Sequence, residues 1–388
     1  MKKIKYLEGL RGIAALAVFL GHLGVAFFIP SHEISLFSAI NAISFLPAFL
    51  KDIIIHLIIL FTNGELAVWI FWLLSSYVIS IAFFKKDNPY NKILISYSSK
   101  RYVRLFIPVF FSILFAYFLL SFGLMYNHNV ALTFTPPNTT LNSLYNFKPD
   151  IIEVLKSAFF TTFFNFQESQ SYNSVLWTIQ PEFLGSLFIF GMFGIIRHNT
   201  KRYILYGIIA IILIVSDMLP LLAFVIGYVL CDYDFSETEN KIILSIKKIE
   251  TTIHQYKLLL FIGSAFLILF GRGIMNFMKV PPANGLLIMG IFVIYFCLRN
   301  EYYKKILSSK IPYWLGEISF SLYLIHVPII CSLGCFIVFH HNNLRGEILA
   351  SFITIIITIP LSILYTKYID KKAVSLSNKV GNYFKKYS

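Results

Sequence analysis

The sequence carries unusually little charge, and this scarcity bears directly on its class. Only 13% of its 388 residues are Asp, Glu, Lys or Arg, whereas a soluble protein carries about 25%. Hydrophobic residues make up 57% of the chain, and several apolar runs are long enough to cross a bilayer. The composition excludes a soluble multidomain enzyme and predicts an integral membrane protein.

Cysteine is also scarce, which excludes a secreted disulfide scaffold. The four cysteines lie in or beside apolar segments, at Cys231, Cys297, Cys331 and Cys335. Their positions show neither a pairing pattern nor the spacing of a metal knuckle. We therefore expect four free structural thiols and no metal site.

The apolar runs predict an all-α polytopic fold with about ten transmembrane helices. They cover roughly residues 8–29, 64–84, 105–124, 175–196, 203–216, 218–231, 258–271, 284–298, 313–338 and 348–366. The first run has no small-residue cleavage site, so we interpret it as a helix rather than a signal peptide. The stretch 36–61 is apolar but interrupted by Pro47, Lys51 and Asp52, which predicts an interfacial or re-entrant segment.

Lysine and arginine are distributed unevenly between the two sides of these spans. With the N-terminus in the cytoplasm, 26 of the 33 lie in cytoplasmic segments, six in outer loops, and Arg11 within the first span. Such asymmetry orients membrane proteins, so both termini are predicted to be cytoplasmic. The net charge of +14 is then expected to face anionic lipid rather than nucleic acid.

Three hydrophilic segments lie outside the spans. The loop 125–174 is predicted to be on the outer side and is long enough to shape a polar site there. The mixed-charge segment 232–257 is interpreted as a short cytoplasmic helical hairpin. Residues 371–388 are predicted to form a basic, surface-lying cytoplasmic tail, which leaves residues 1–370 as one transmembrane domain.

Ionisable side chains inside spans are costly, so each of them is a functional candidate. They are Arg11, His22, Glu65, Glu182, Glu317 and His326. Arg11 and His22 are eleven residues apart, which places them within about 20° on one helix face and about 16.5 Å apart along the axis. This arrangement suits a channel that holds a charged group at its rim and a reactive group at depth. A snorkelling arginine and a histidine hydrogen-bonded within the bundle are the structural alternative.

Five sequence blocks around these residues resemble the membrane-bound acyltransferase 3 family. In order, they are the spacing from Arg11 to His22, residues 63–77, the block from Arg101 and Arg104 to Pro108, the block from Trp177 to Glu182, and the block from Ser319 through Tyr323 and His326 to Pro328. Two positions depart from the family pattern. Trp69 stands where many members have an acidic residue, and Ser76 stands where a glycine is common.

The resemblance implies an O-acyltransferase, by family habit an O-acetyltransferase, in the bacterial cytoplasmic (inner) membrane. It would move an acyl group from cytoplasmic acyl-CoA to a hydroxyl of a cell-surface or lipid-linked polysaccharide, with no permanently bound cofactor. Its partners would be acyl-CoA, the glycan acceptor and membrane lipid. With no esterase-like domain after the tenth span, we expect direct transfer to the acceptor or transfer through a partner.

The same resemblance, with the chemistry of the side chains, assigns roles. Arg11, Lys100, Arg101 and Arg104 would bind the CoA phosphates, although topology alone also accounts for Arg101 and Arg104. His22 would act as general base or carry the acyl group itself. Glu182, predicted at the outer start of the fourth span, would orient an imidazole or the acceptor hydroxyl, or simply complement the helix dipole. Trp177, Tyr323 and His326 are predicted to contact the acceptor, against the alternatives of interfacial anchoring for Trp177 and packing for His326.

A transporter or flippase is the alternative function, because ten spans with buried ionisable residues suit that class as well. The two halves of the chain show no matched pair of Gly/Pro-interrupted spans, which argues against it. Acyl-CoA consumption that depends on a glycan would indicate the enzyme, and solute counterflow without acyl transfer would indicate the transporter.

Overall fold

The computed structural model describes residues 4–28, 43–84, 90–134, 136–197, 199–235 and 241–386. Within these ranges the regular structure is helical and contains no β-strand. The prediction of an all-α polytopic membrane protein is confirmed. The side of the membrane that each terminus faces stays a prediction.

Helices of ten or more residues are numbered here in chain order. The first seven are α1 (Lys5–Leu23), α2 (Ala48–Phe61), α3 (Gly64–Phe84), α4 (Tyr90–Ser121), α5 (Ile179–Ile196), α6 (Arg202–Val215) and α7 (Leu219–Phe235). The remaining six are α8 (Lys241–Ile253), α9 (Lys257–Phe277), α10 (Pro282–Arg299), α11 (Lys310–Ile329), α12 (Leu344–Tyr365) and α13 (Lys371–Lys386).

Eight continuous helical segments of the described chain are long and apolar enough to cross a membrane. They correspond to eight of the predicted spans. The other two predicted spans, 203–216 and 218–231, are present as α6 and α7, of 14 and 17 residues. Both fall short of the roughly 20 residues that a straight crossing needs.

The first and ninth predicted spans, α1 and α11, pack along a seam of glycines. A Cβ atom on Gly12 would overlap the backbone of α11 at Gly316, and one on Gly316 would overlap the carbonyl group of Glu8. Small residues allow helix backbones to approach this closely in a membrane. The seam therefore fixes which residues of the two helices face each other.

The Gly316→Val variant should separate the two helices, because backbone atoms rather than flexible side chains occupy the space. We expect a loss of at least about 1–3 kcal/mol in unfolding free energy, the usual cost of overpacking. The yield of monodisperse protein and its thermal midpoint in detergent measure the effect. Gly191→Val is the matched control, since a Cβ placed there has no described neighbour within 4 Å. An equal response of both variants would contradict a close α1–α11 seam.

Charged side chains join the ends of α7, α8 and α10 on the predicted cytoplasmic side. Arg299 contacts Asp234 and Glu250, each at 2.5 Å, and the Tyr77 hydroxyl donates to Asp234 at 2.6 Å. Burial alone would raise the pKa of the Glu250 carboxyl, but hydrogen bonds from Tyr233 and Arg299 outweigh it and hold that pKa below its ordinary value. This network ties together the described part of the predicted hairpin 232–257.

The tail and the predicted interfacial segment are both helical. Helix α13 packs Gly381 against the Ser96 carbonyl of α4 and leaves most of its residues exposed, and its position at the cytoplasmic surface stays a prediction. The predicted segment 36–61 is described from residue 43 onward. Its helix α2 buries none of its fourteen residues and places His56 beside the Phe270 ring of α9, 4.5 Å between ring centroids.

The loop 125–174 folds back onto the ends of α1 and α11. The Asn138 amide donates to the carbonyl oxygens of Val25 and Ala26, at 3.0 and 3.1 Å. The Asn173 amide donates to the Leu324 carbonyl at 2.6 Å. Both asparagines are buried, so the loop is anchored to the two helices that carry His22 and His326.

Candidate functional site

A cavity of about 230 Å³ lies between α1, α3, α4, α5 and α11. Its walls are mostly apolar, with a minority of polar side chains. The polar residues that line it are Arg11, Ser75, Arg101, Arg104, Thr178, Glu182, Ser319 and Tyr323. Three of the four residues predicted to bind CoA phosphates therefore meet in one cavity.

Each arginine of the cavity faces a carboxylate. Arg11 contacts Glu8 at 3.3 Å, Arg104 contacts Asp370 at 2.6 Å, and Arg101 forms an ion pair with Glu182. The side chains of Arg11 and Arg104 are 33% and 25% exposed, against 14% for Arg101. Arg11 and Arg104 are thus the more accessible cations.

Arg101 belongs to a closed polar network. Besides Glu182, its guanidinium donates to the hydroxyls of Ser186 at 2.9 Å and Ser75 at 3.3 Å. The Ser75 hydroxyl in turn donates to Glu182 at 2.5 Å. A buried charge needs its partner and these hydrogen bonds to offset desolvation, so Arg101 is committed to holding α3, α4 and α5 together.

The predicted outer position of Glu182 is wrong. Ser75, its hydrogen-bond partner, lies about 16 Å along α3 from Gly64, roughly halfway across the bundle. The reason is that a helical turn, Ser174–Thr178, enters the bundle before α5 begins, and Thr178 accepts a hydrogen bond from the indole of Trp72 at 3.4 Å. At this depth Glu182 contacts Arg101 and Ser75, and it orients neither histidine.

His22 and His326 meet at the seam between α1 and α11. Nε2 of His326 lies 3.2 Å from Nδ1 of His22, and the ring centroids are 4.9 Å apart. Nδ1 of His22 is 2.9 Å from the Val18 carbonyl, and Nδ1 of His326 is 3.0 Å from the Leu322 carbonyl. His326 is fully buried, whereas His22 is partly exposed.

Carbonyl oxygens only accept, so these contacts assign the proton of each neutral imidazole to Nδ1. His22 then shares its Nδ1 proton between Val18 and Nε2 of His326. Nε2 of His22 keeps a free lone pair and accepts no hydrogen bond from the residues that the structure describes. His22 is therefore in the tautomer that a general base at Nε2 requires.

Tyr323 stands between the cavity and the histidines. It lines the cavity, and its ring centroid is 5.9 Å from that of His326. Its hydroxyl is within hydrogen-bond distance of the Thr178 hydroxyl, 2.7 Å, and the Val175 carbonyl, 2.8 Å. Neither histidine is among the described residues that line the cavity. Tyr323 therefore contacts both the cavity and His326, which in turn contacts His22.

Two other predicted residues lie outside the cavity. Lys100 lies over the Tyr97 ring at 3.7 Å and beside Gly381 of α13. Trp177 is 44% exposed and packs edge-on against Trp72, which itself lines the cavity. The predicted roles of Lys100 and Trp177 therefore find no support in the shape of the cavity.

The sequence missed several members of the site. Ser75 and Thr178 belong to blocks that carry the family resemblance. A hydroxyl side chain in such a block is the sequence signal that identifies them. Asp370 and Arg104 are 266 residues apart, and nothing local signals their contact. The described residues contain no group of three or more His, Cys, Asp or Glu that could hold a metal ion, and all four cysteines are free and buried.

One protein-family model covers almost the whole chain. The model of the acyltransferase 3 family, described as an acyltransferase domain, matches residues 4–367. No curated protein and no solved structure matches the chain.

Proposed function

This chain belongs to the acyltransferase 3 family and is a membrane acyltransferase, and on that premise we propose that it moves an acyl group, acetyl in the simplest case, from cytoplasmic acyl-CoA to a glycan hydroxyl. The observation that carries the proposal is the seam between α1 and α11. Along it lie an arginine-lined cavity and, beyond Tyr323, a histidine with a free Nε2 lone pair. The proposed location is the bacterial inner membrane.

Arg11 and Arg104 are the proposed phosphate ligands of the donor. Guanidinium groups bind phosphate through charge-assisted, often bidentate hydrogen bonds. These two arginines are the more exposed ones, and a phosphate can displace the described carboxylate partner of each, Glu8 of Arg11 and Asp370 of Arg104. Arg101 keeps its internal partners and shapes the wall. The acyl thioester would extend inward, toward Tyr323.

His22 is the proposed general base. Its Nε2 would take the proton of the acceptor hydroxyl as that oxygen attacks the thioester carbonyl. A C–O bond forms, the C–S bond breaks, and the proton passes on to the departing CoA thiolate. The product is an ester and free CoA, with no net proton released. In the covalent variant of this mechanism, Nε2 first accepts the acyl group and the acceptor hydroxyl then removes it.

Tyr323 must move for the thioester and His22 to meet. Breaking its hydrogen bonds to Thr178 and Val175 would join the cavity to the histidine pair. The closed position keeps cytoplasmic water away from the acyl group until both substrates are bound. The folded-back loop 125–174 would form the opposite, acceptor-facing side.

The function is tested with purified protein in lipid nanodiscs, supplied with radiolabelled acetyl-CoA and a lipid-linked glycan. We expect the label to appear in the glycan and free CoA to form in equal amount. Label that stays in acetyl-CoA at every acceptor tested, together with acceptor-independent movement of solute in vesicles, would contradict the proposal and support a transporter.

A further inference from the structure

We propose that His326 is a positioning residue that fixes the tautomer and orientation of His22 and stabilises its imidazolium form. The inference rests on the proposed role of His22 as base. It replaces the predicted role of His326 in binding the acceptor, because a fully buried ring behind Tyr323 offers no surface to a sugar.

The direction of the hydrogen bonds determines which nitrogen of each histidine carries a proton. The Leu322 carbonyl requires a proton on Nδ1 of His326, so Nε2 of His326 can only accept. The sole described side-chain nitrogen within its reach is Nδ1 of His22, at 3.2 Å. His326 thereby holds the His22 proton at Nδ1 and leaves Nε2 of His22 unprotonated.

The contact between His22 and His326 also limits the charge that the pair can hold. Two imidazoles in direct contact cannot both be protonated, because like charges at this distance repel strongly in a medium of low dielectric constant. The pair therefore holds one extra proton at most. When Nε2 of His22 takes a proton, its Nδ1–H becomes a stronger donor to His326. A buried carboxylate does the same for the base of a hydrolase triad, whereas here a neutral imidazole accepts the bond.

The backbone around the pair is built to hold this geometry. A π-helical turn follows each histidine, Gly24–Phe28 after His22 and Ile330–Gly334 after His326. The two turns pack together, with Phe27 against Gly334. Asn138 binds carbonyl groups of the first turn, which restrains α1 just beyond His22. π-helical turns occur often at functional sites.

Steady-state acetyl transfer in nanodiscs tests the inference with three variants. His326→Phe keeps a ring but removes the acceptor, and we expect kcat to fall about 10- to 100-fold, as for other supporting residues of an active site, with KM for acetyl-CoA unchanged. His326→Gln offers an amide oxygen to Nδ1 of His22, so its kcat should be at least about tenfold higher than that of His326→Phe. His340→Phe is the matched control, since His340 makes the same contact to a carbonyl four residues back, at 2.8 Å, but is exposed.

A wild-type kcat in His326→Phe, or equal kcat values in the Phe and Gln variants, would overturn the inference. If the Phe variant does not accumulate, His326→Asn replaces it, because its shorter amide cannot reach Nδ1 of His22 and the same loss is expected. The two hypotheses have distinguishable outcomes. Full activity of a His22→Ala variant would contradict the proposed role of His22 as base. An inactive His22→Ala variant together with a fully active His326→Phe variant would contradict only the positioning role of His326.

Discussion

The His22→Ala variant should lose acyl transfer by at least about 100-fold, the lower range of what a positioned base contributes. Alanine removes the only described nitrogen lone pair that faces the reaction in the proposed mechanism, and both the direct and the covalent variants need it. The protein should still fold, because His22 is partly exposed and makes only two described hydrogen bonds. Label transferred from acetyl-CoA to glycan, normalised to membrane abundance, measures the effect.

The matched control for this variant is His56→Ala. His56 lies on α2 and contacts the Asp52 carbonyl at 2.7 Å, which repeats the local bond of His22 away from the seam. Transfer should remain within about twofold of wild type, since surface substitutions usually change stability little. Undiminished acylation in His22→Ala at normal abundance would exclude His22 from the mechanism.

The Glu182→Leu variant should destabilise the whole bundle rather than only slow the reaction. It leaves the guanidinium of Arg101 buried without its carboxylate, and breaking one side of a buried ion pair costs about 3–5 kcal/mol. Ser75 and Ser186 remain as neutral acceptors and cannot balance the charge. We expect low membrane abundance and a lower thermal midpoint in detergent.

A second substitution separates stability from chemistry at this position. The Glu182→Leu/Arg101→Met double variant removes both charges, so most of the lost stability should return. Glu317→Leu serves as the control for losing a carboxylate, because Glu317 is exposed on α11. A Glu182→Leu protein that is fully stable yet inactive would show instead that Glu182 acts directly on a substrate.

The arrangement of site residues within a single helix can be predicted from the sequence. The helical period places Arg11 and His22 on one face, and in the structure Arg11 lines the cavity and His22 contacts His326 of α11. The apolar runs likewise give eight of the spans and the two shorter helices. These features depend on residues close together in the chain, whose geometry the α-helix sets.

The partners in the site do not follow from the sequence. His22 and His326 are 304 residues apart, and their contact depends on the glycine seam, which packing alone reveals. The sequence does not show the depth of Glu182, because the start of a helix need not lie at the edge of the membrane. Resemblance to a family marks positions that matter, but it does not say which carboxylate neutralises which arginine.

The pairing of every cavity arginine with a carboxylate has a consequence for the bilayer. Three positive charges beside three negative ones leave little net field in the resting protein, so chloride or free phosphate gains little by entering. Under the proposed function, a multiply charged donor would gain more, because it could engage two guanidinium groups at once. The same bundle would then admit that donor from one side and still insulate the cell against leakage of small ions between turnovers.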